Sequence, residues 1–313
     1  MGAAAPSGAA DPLAGTISAT AGVQYDSSKN GAAASSAGVG PLTPIGGWRP
    51  PACWYQPMYT PAQLKASSEA VWAEDSPSQE WKNGERDRFV NGKPYTNFNL
   101  AKAGHGYFWA GYTPRSQESA PGASSCTDEP FWVSEDGSVP AGHRDALTPE
   151  TLAELAYERI LIPRATASTD PDGVQTVNLP TWVWLDTGAV HPVAVTAYLP
   201  AYGISATTTA EPVSLHLDPG TADARLHPAS GNCPFRGNRL GTPYTPGAEG
   251  DPPCGVTYLR STAPSRQAYR LTATVTWDVS WTGTGQPAPK ALPPGAFGTP
   301  QEIGVREIQT VSR

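Results

Sequence analysis

Charge is scarce in this chain, and clustered basic charge is missing. Only 16% of the 313 residues are charged, the formal net charge is −7, and Lys and Arg nowhere gather into a run. A nucleic-acid binder or a protein that adsorbs to anionic lipid needs clustered cations, so neither partner is expected. Long apolar runs are missing too: no stretch approaches the roughly 20 residues that span a bilayer. Met1 is followed by Gly-Ala-Ala-Ala-Pro-Ser-Gly, without the basic start and apolar core of an export leader. The chain reads as a mature form whose leader has been removed.

Catalytic signatures are equally thin. Nicotinamide or flavin chemistry calls for Gly-x-Gly-x-x-Gly between a strand and a helix, and the nearest matches, Gly104-His-Gly106 and Gly283-Thr-Gly285, lack the third glycine. There is no Gly-x-Ser-x-Gly elbow. His105, His143, His191, His216 and His227 stand far apart with no His-x-x-x-His, which argues against a zinc hydrolase. Asp170-Pro171-Asp172-Gly173 opens like a calcium loop, but the later ligands are missing and a turn explains it. No cofactor and no metal are expected.

What is present is sulfur, in even number. Cys53, Cys126, Cys233 and Cys254 have no close Cys-x-x-Cys pair, the nearest two being twenty-one positions apart, so disulfides outrank zinc. Disulfides persist outside the reducing cytoplasm. If sequence neighbours pair, Cys53 with Cys126 and Cys233 with Cys254, the crosslinks contribute roughly 4 and 3 kcal/mol in the chain-entropy picture. The 34 Pro and 32 Gly suit a loop-rich, mainly β extracellular protein better than a helical enzyme.

Along the chain, residues 1–46 are rich in Ala, Gly and Ser and read as a flexible arm, with Thr16–Tyr25 able to add an edge strand. An aromatic-rich, disulfide-bonded α+β module follows over 47–165. Thr60-Pro61-Ala62-Gln63 is a helix start in which Thr caps, Pro takes the first turn and Gln returns the bond, giving a helix to about Trp72. Residues 81–109 read as loops and short strands around aromatic anchors. Thr148-Pro149-Glu150 starts a second helix, with Leu152, Leu155, Ala156 and Ile160 on one side, that runs until Pro163.

From 166 to 313 the period is two. Val174–Leu179, Trp182–Leu185, Val193–Leu199, Ile204–Thr209 and Val213–Leu217 are short runs between turns. From Tyr269 to Trp281 every odd position is apolar and nearly every even one is Thr, Ser or Asp. A last strand is expected over Glu302–Ser312. The whole is mainly β with a few helices, its C-terminal part an antiparallel sandwich of immunoglobulin or PKD type. Trp182, Trp277 and Trp281 belong to its core.

Pro51-Ala52-Cys53-Trp54-Tyr55, Arg88-Phe89-Val90-Asn91-Gly92-Lys93-Pro94-Tyr95 and Leu179-Pro180-Thr181-Trp182-Val183-Trp184-Leu185 resemble a group of secreted Streptomyces and related actinobacterial proteins. Cys254-Gly255-Val256-Thr257-Tyr258 and the Thr-Val-Thr-Trp strand are similar to a wider set of exported actinobacterial β-sandwich domains. The resemblance implies export and brings no assigned catalytic residue. Some members carry the label enoyl reductase, which implies a nucleotide cofactor whose fingerprint this chain lacks.

The aromatic surplus, ten Trp, twelve Tyr and six Phe, is the remaining lead. Exposed aromatic faces stack on sugar rings or anchor protein contacts. Trp81, Tyr95, Tyr107, Trp109 and Tyr112, with His105, are the binding candidates. Arg88 and Lys93 head the polar companions, with Arg86, Asn91, Asn97 and Asn99 behind them. The expectation is a secreted, noncatalytic protein that recognises a cell-wall glycan or an extracellular protein at the cell surface. The alternatives are an extracellular assembly component, or a wall-polysaccharide hydrolase using the acids near Cys126, Asp128 and Glu129.

Overall fold

The computed structural model describes residues 22–31, 38–185, 190–236, 239–263 and 267–308. Its largest element is one antiparallel sheet of twelve strands that turns back on itself. The strand Tyr269–Gly283 lies at its heart, between Ile204–Asp218 and Gln286–Ile303. Alternation dictates its faces: Leu271, Ala273, Val275, Trp277, Val279 and Trp281 are buried, while the intervening Thr and Ser residues lie half-exposed on the other side. The short strand Asn232–Arg236 pairs with Ile204–Asp218 on one side and Arg239–Gly241 on the other, carrying the sheet from one leaf to the next. There the Cys233–Cys254 disulfide is buried in the core.

Helix α3, Pro149–Glu158, covers part of the inner face of the first leaf. Thr148 caps it, accepting a hydrogen bond from the Thr151 N–H at 3.1 Å, and Leu152, Ala153, Leu155, Ala156 and Tyr157 are all buried. The buried Thr208 hydroxyl donates to the Ala153 carbonyl at 2.7 Å, tying sheet to helix. The helix ends at Glu158, short of Pro163, because Leu161–Pro163 pairs as a strand with Val39–Pro41.

A separate three-stranded sheet, Trp54–Tyr59, Gly106–Tyr112 and Phe131–Ser134, carries the Cys53–Cys126 disulfide, which ties the start of its first strand to the loop between its second and third strands. Its two faces serve two cores. Trp54, Tyr55, Trp109, Phe131 and Val133 belong to the large core shared with α3 and the twelve-stranded sheet. Phe108 and Trp132 face the other way and join Leu64, Phe89 and Phe98 in a small core. Gly106, at φ 155°, sits so close to the Val133 carbonyl and the Trp132 ring that no Cβ would fit.

The small core is roofed by two helices. In α1, Pro61–Ala73, the expected reciprocal cap is present: the Thr60 N–H donates to Gln63 Oε1 at 3.0 Å and the Gln63 N–H donates back to Thr60 Oγ1 at 3.4 Å. The second, α2 over Gln79–Phe89, corrects the first part of the reading of 81–109 as loops and short strands, while the strand from Gly106 agrees with it. Trp81 and Phe89 are its only large apolar residues, so it shows no stripe. It forms on its caps, with Ser78 accepting from the Trp81 N–H at 3.2 Å, Glu80 in the first turn and Arg86 and Arg88 in the last.

Four further expectations are corrected. Described residues within the supposed flexible arm lie as edge strands: Gln24–Asp26 on Val193–Leu199, and Thr43–Pro44 on Gly295–Ala296, with Leu42 buried. The start of the expected edge strand, 16–21, lies outside the described residues. The two runs 204–209 and 213–217 are one strand with an irregularity between Pro212 and Ser214. The final long strand is the proline-rich Gln286–Ile303. Beyond it only Val305–Arg306 continues among the described residues, paired parallel to Gln175–Thr176, and Ile308 is exposed. Trp182 is half-buried on the outer face, against Tyr244 at 5.7 Å, whereas Thr181, Val183 and Leu185 point inward. The inward positions lie beside the disulfide and the tight Gly241 approach to the Val183 carbonyl, which favour small side chains.

The two crosslinks place the chain outside a reducing compartment. Among the described residues no helix is long and apolar enough to cross a membrane.

Candidate functional site

Residues Glu69, Trp72 and Ala73 share one stripe of α1 because they stand three and four positions apart; Arg86 and the C-cap residue Val90 do the same at the end of α2. With Asn91 they line an open groove of about 430 Å³ between the C-terminal halves of the two helices. The Arg86 guanidinium carbon lies 5.2 Å from the centre of the Trp72 ring. Trp72 also packs on Phe98 at 5.8 Å, and its indole N–H is buried without an acceptor. Glu69 is held by Lys65 at 2.6 Å, and Asn91 donates to Asp87 at 2.7 Å. The lining thus mixes an indole and small apolar side chains with a guanidinium, an amide and a carboxylate.

Beneath the groove the backbone is strained. Asn97, Phe98 and Asn99 follow one another at φ 43°, 53° and 50°, a left-handed turn without glycine. The turn carries Phe98 into the small core, stacked on Phe89 with centroids 6.0 Å apart. Asn99 is buried there with its amide nitrogen unpartnered.

On another face of α2, Trp81, Glu85 and Arg88 align at spacings of four and three. Arg88 pairs with Glu129 at 2.8 Å. Burial pushes the Glu85 carboxyl up to about 7, the negative charge of Glu129 adds to this, and Arg88 opposes it.

The other acid near Cys126 goes elsewhere. Asp128 binds His143 at 2.6 Å, the imidazole lies flat on Phe131 at 3.5 Å, and the Asp128 N–H donates to the Tyr55 hydroxyl at 2.9 Å. Each of the two neighbouring acids is therefore committed to a different base. Among the described residues no three His, Cys, Asp or Glu side chains converge as a metal site would require.

The structure does not gather the sequence candidates into one groove. Trp109 is 1% exposed and donates its indole N–H to Tyr202, whose hydroxyl donates on to the Val133 carbonyl, a buried relay between the sheets. Tyr95 stacks on Phe89 and meets Phe108 edge-on at 5.1 Å, while its hydroxyl accepts from the Trp132 N–H. Trp109 is thus enclosed in the large core, and Tyr95, half-buried, packs against the small one. Tyr107 and Tyr112 are half-buried, beside Tyr202 at 6.4 Å and Trp54 at 5.3 Å. His105 is exposed in the turn before Gly106, and Lys93 is exposed and paired with Asp87 at 2.9 Å.

Of the groove residues, Arg86 and Asn91 stood among the polar companions, but Glu69 and Trp72 did not figure as binding residues. The i, i+3 stripe on α1 was the available signal; it pointed to a groove only once α2 was known to be a helix. No protein-family model matches the chain, and no curated protein or solved structure is significantly similar to it.

Proposed function

We propose that this is a secreted, noncatalytic recognition protein that binds cell-wall glycan through the groove between α1 and α2. The observation that supports the reading is the groove's composition: an indole and small apolar residues for the C–H face of a sugar ring, with Arg86, Asn91 and Glu69 at the rim for its hydroxyls. The disulfides suit an extracellular setting. In this reading the large sandwich, of immunoglobulin or PKD type, is the rigid support that presents the helical unit.

The test is retention of the full chain on insoluble peptidoglycan and on a glycan array at micromolar concentration. Trp72→Leu and Asn91→Ala are expected to weaken binding about tenfold or more, with Asn91→Ala leaving both cores untouched. Absence of binding to every glycan, with capture of an extracellular protein instead, would replace this reading with that of an assembly component. Turnover of the polysaccharide would overturn its noncatalytic part.

A further inference from the structure

We infer that the α1–α2 groove selects a carboxylate-bearing sugar, with the acid group seated on Arg86; this rests on the recognition reading above. The argument is one of uncommitted charge. The groove's own acid, Glu69, is neutralised by Lys65 at 2.6 Å. Asp87, next to Arg86 in sequence, is already bound by Asn91 at 2.7 Å and Lys93 at 2.9 Å. Among the described residues Arg86 has no carboxylate within ion-pair distance, its neighbour being the face of Trp72 at 5.2 Å. A groove on a chain of net charge −7 therefore presents a free cation to its ligand.

A guanidinium with open N–H groups matches a carboxylate in two-pronged fashion, which neutral hydroxyls cannot reproduce. The C-terminal ends of α1 and α2 lie close by and oppose an anion. Each contributes only about half an elementary charge, screened by solvent, against the whole charge of Arg86. Val90, Ala73 and the indole supply the apolar strip against which a pyranose lies, and Asn91 Oδ1 is an acceptor for its hydroxyls. A small inorganic anion would leave that strip unused, which favours a sugar acid over a free phosphate or sulfate.

The experiment compares two disaccharides on the full chain by calorimetry: N-acetylglucosaminyl-N-acetylmuramic acid, which carries a lactyl carboxylate, and chitobiose, which does not. The acid is expected to bind about tenfold more tightly, and Arg86→Gln to bring the ratio of the two affinities to about one, whatever the variant does to chitobiose binding itself. Arg86 is exposed, and an unchanged circular dichroism melt verifies that the variant is folded. Equal affinity of the wild type for both sugars overturns the acid selectivity and leaves glycan recognition standing. Binding of neither, together with silence on the glycan array, overturns both. A preference that survives in Arg86→Gln shows that the carboxylate sits elsewhere and overturns the assignment to Arg86.

Discussion

The molecule contains two cores of different construction. The large one joins alternating strand positions, mostly Val, Leu, Ile and Ala with Trp277 and Trp281 on the central strand, to the buried face of α3 and to the Trp54, Tyr55, Trp109 and Phe131 rings of the three-stranded sheet. The small one has five buried members, four of them aromatic, brought together by two helices, the back of a three-stranded sheet and a left-handed turn. The large core comes from a repeated local rule, so many residues share its energy. The small core depends on a few ring contacts and on a turn that costs conformational energy, which makes it the adaptable region, and the groove lies on top of it.

This contrast can be broken or sharpened experimentally. Trp277→Ala removes a side chain with no exposure from the centre of the large core and is expected to cost about 3–5 kcal/mol in urea unfolding. A loss under about 1 kcal/mol would mean that the alternating core does not carry the fold. At the strained turn, Asn97 is exposed at φ 43°, so Asn97→Gly is expected to be neutral or stabilising, and Asn97→Ala to lose about 1 kcal/mol in thermal melts. Equal melting of the two variants would remove strain from the account.

The smallest effect concerns pH. The folded chain holds the Glu85 proton more tightly than the unfolded chain does, with a value near 7 against 4.5. Its contribution to stability is therefore complete below pH 4.5 and is lost as the pH rises through about 7. Glu85→Gln should flatten that part of the stability profile by roughly 1 kcal/mol or less, since solvent screens this half-exposed group. An unchanged slope would detach Glu85 from the Arg88–Glu129 pair.

The same contrast explains what the sequence disclosed. The odd-numbered residues from Leu271 to Trp281 announce their burial because a strand has a two-residue period, and Thr60 and Thr148 announce helix starts through local hydrogen bonds. The pairings Cys53–Cys126 and Cys233–Cys254 follow sequence neighbours as expected. Helix α2 was hidden because its stability comes from caps and from Lys82, whose buried ammonium donates to the Glu74 carbonyl at 2.5 Å, and neither leaves a hydrophobic rhythm. Trp109 and Tyr95 looked like ligand residues because composition cannot tell a ring under a helix from a ring under solvent. The groove joins Trp72 with Arg86 across the turn between α1 and α2, a pairing that no local pattern encodes.

The strand Gln286–Ile303 forms a border of the sheet, met among the described residues by Thr43–Ile45 over Pro294, Gly295 and Ala296. Pro287, Pro289, Pro293, Pro294 and Pro300 have no N–H to offer a neighbour. A second chain meeting this border finds gaps where it would look for donors, so stacking of molecules edge to edge is discouraged by covalent structure alone. That interrupted margin discourages fibre growth at no expense to the face that packs the core.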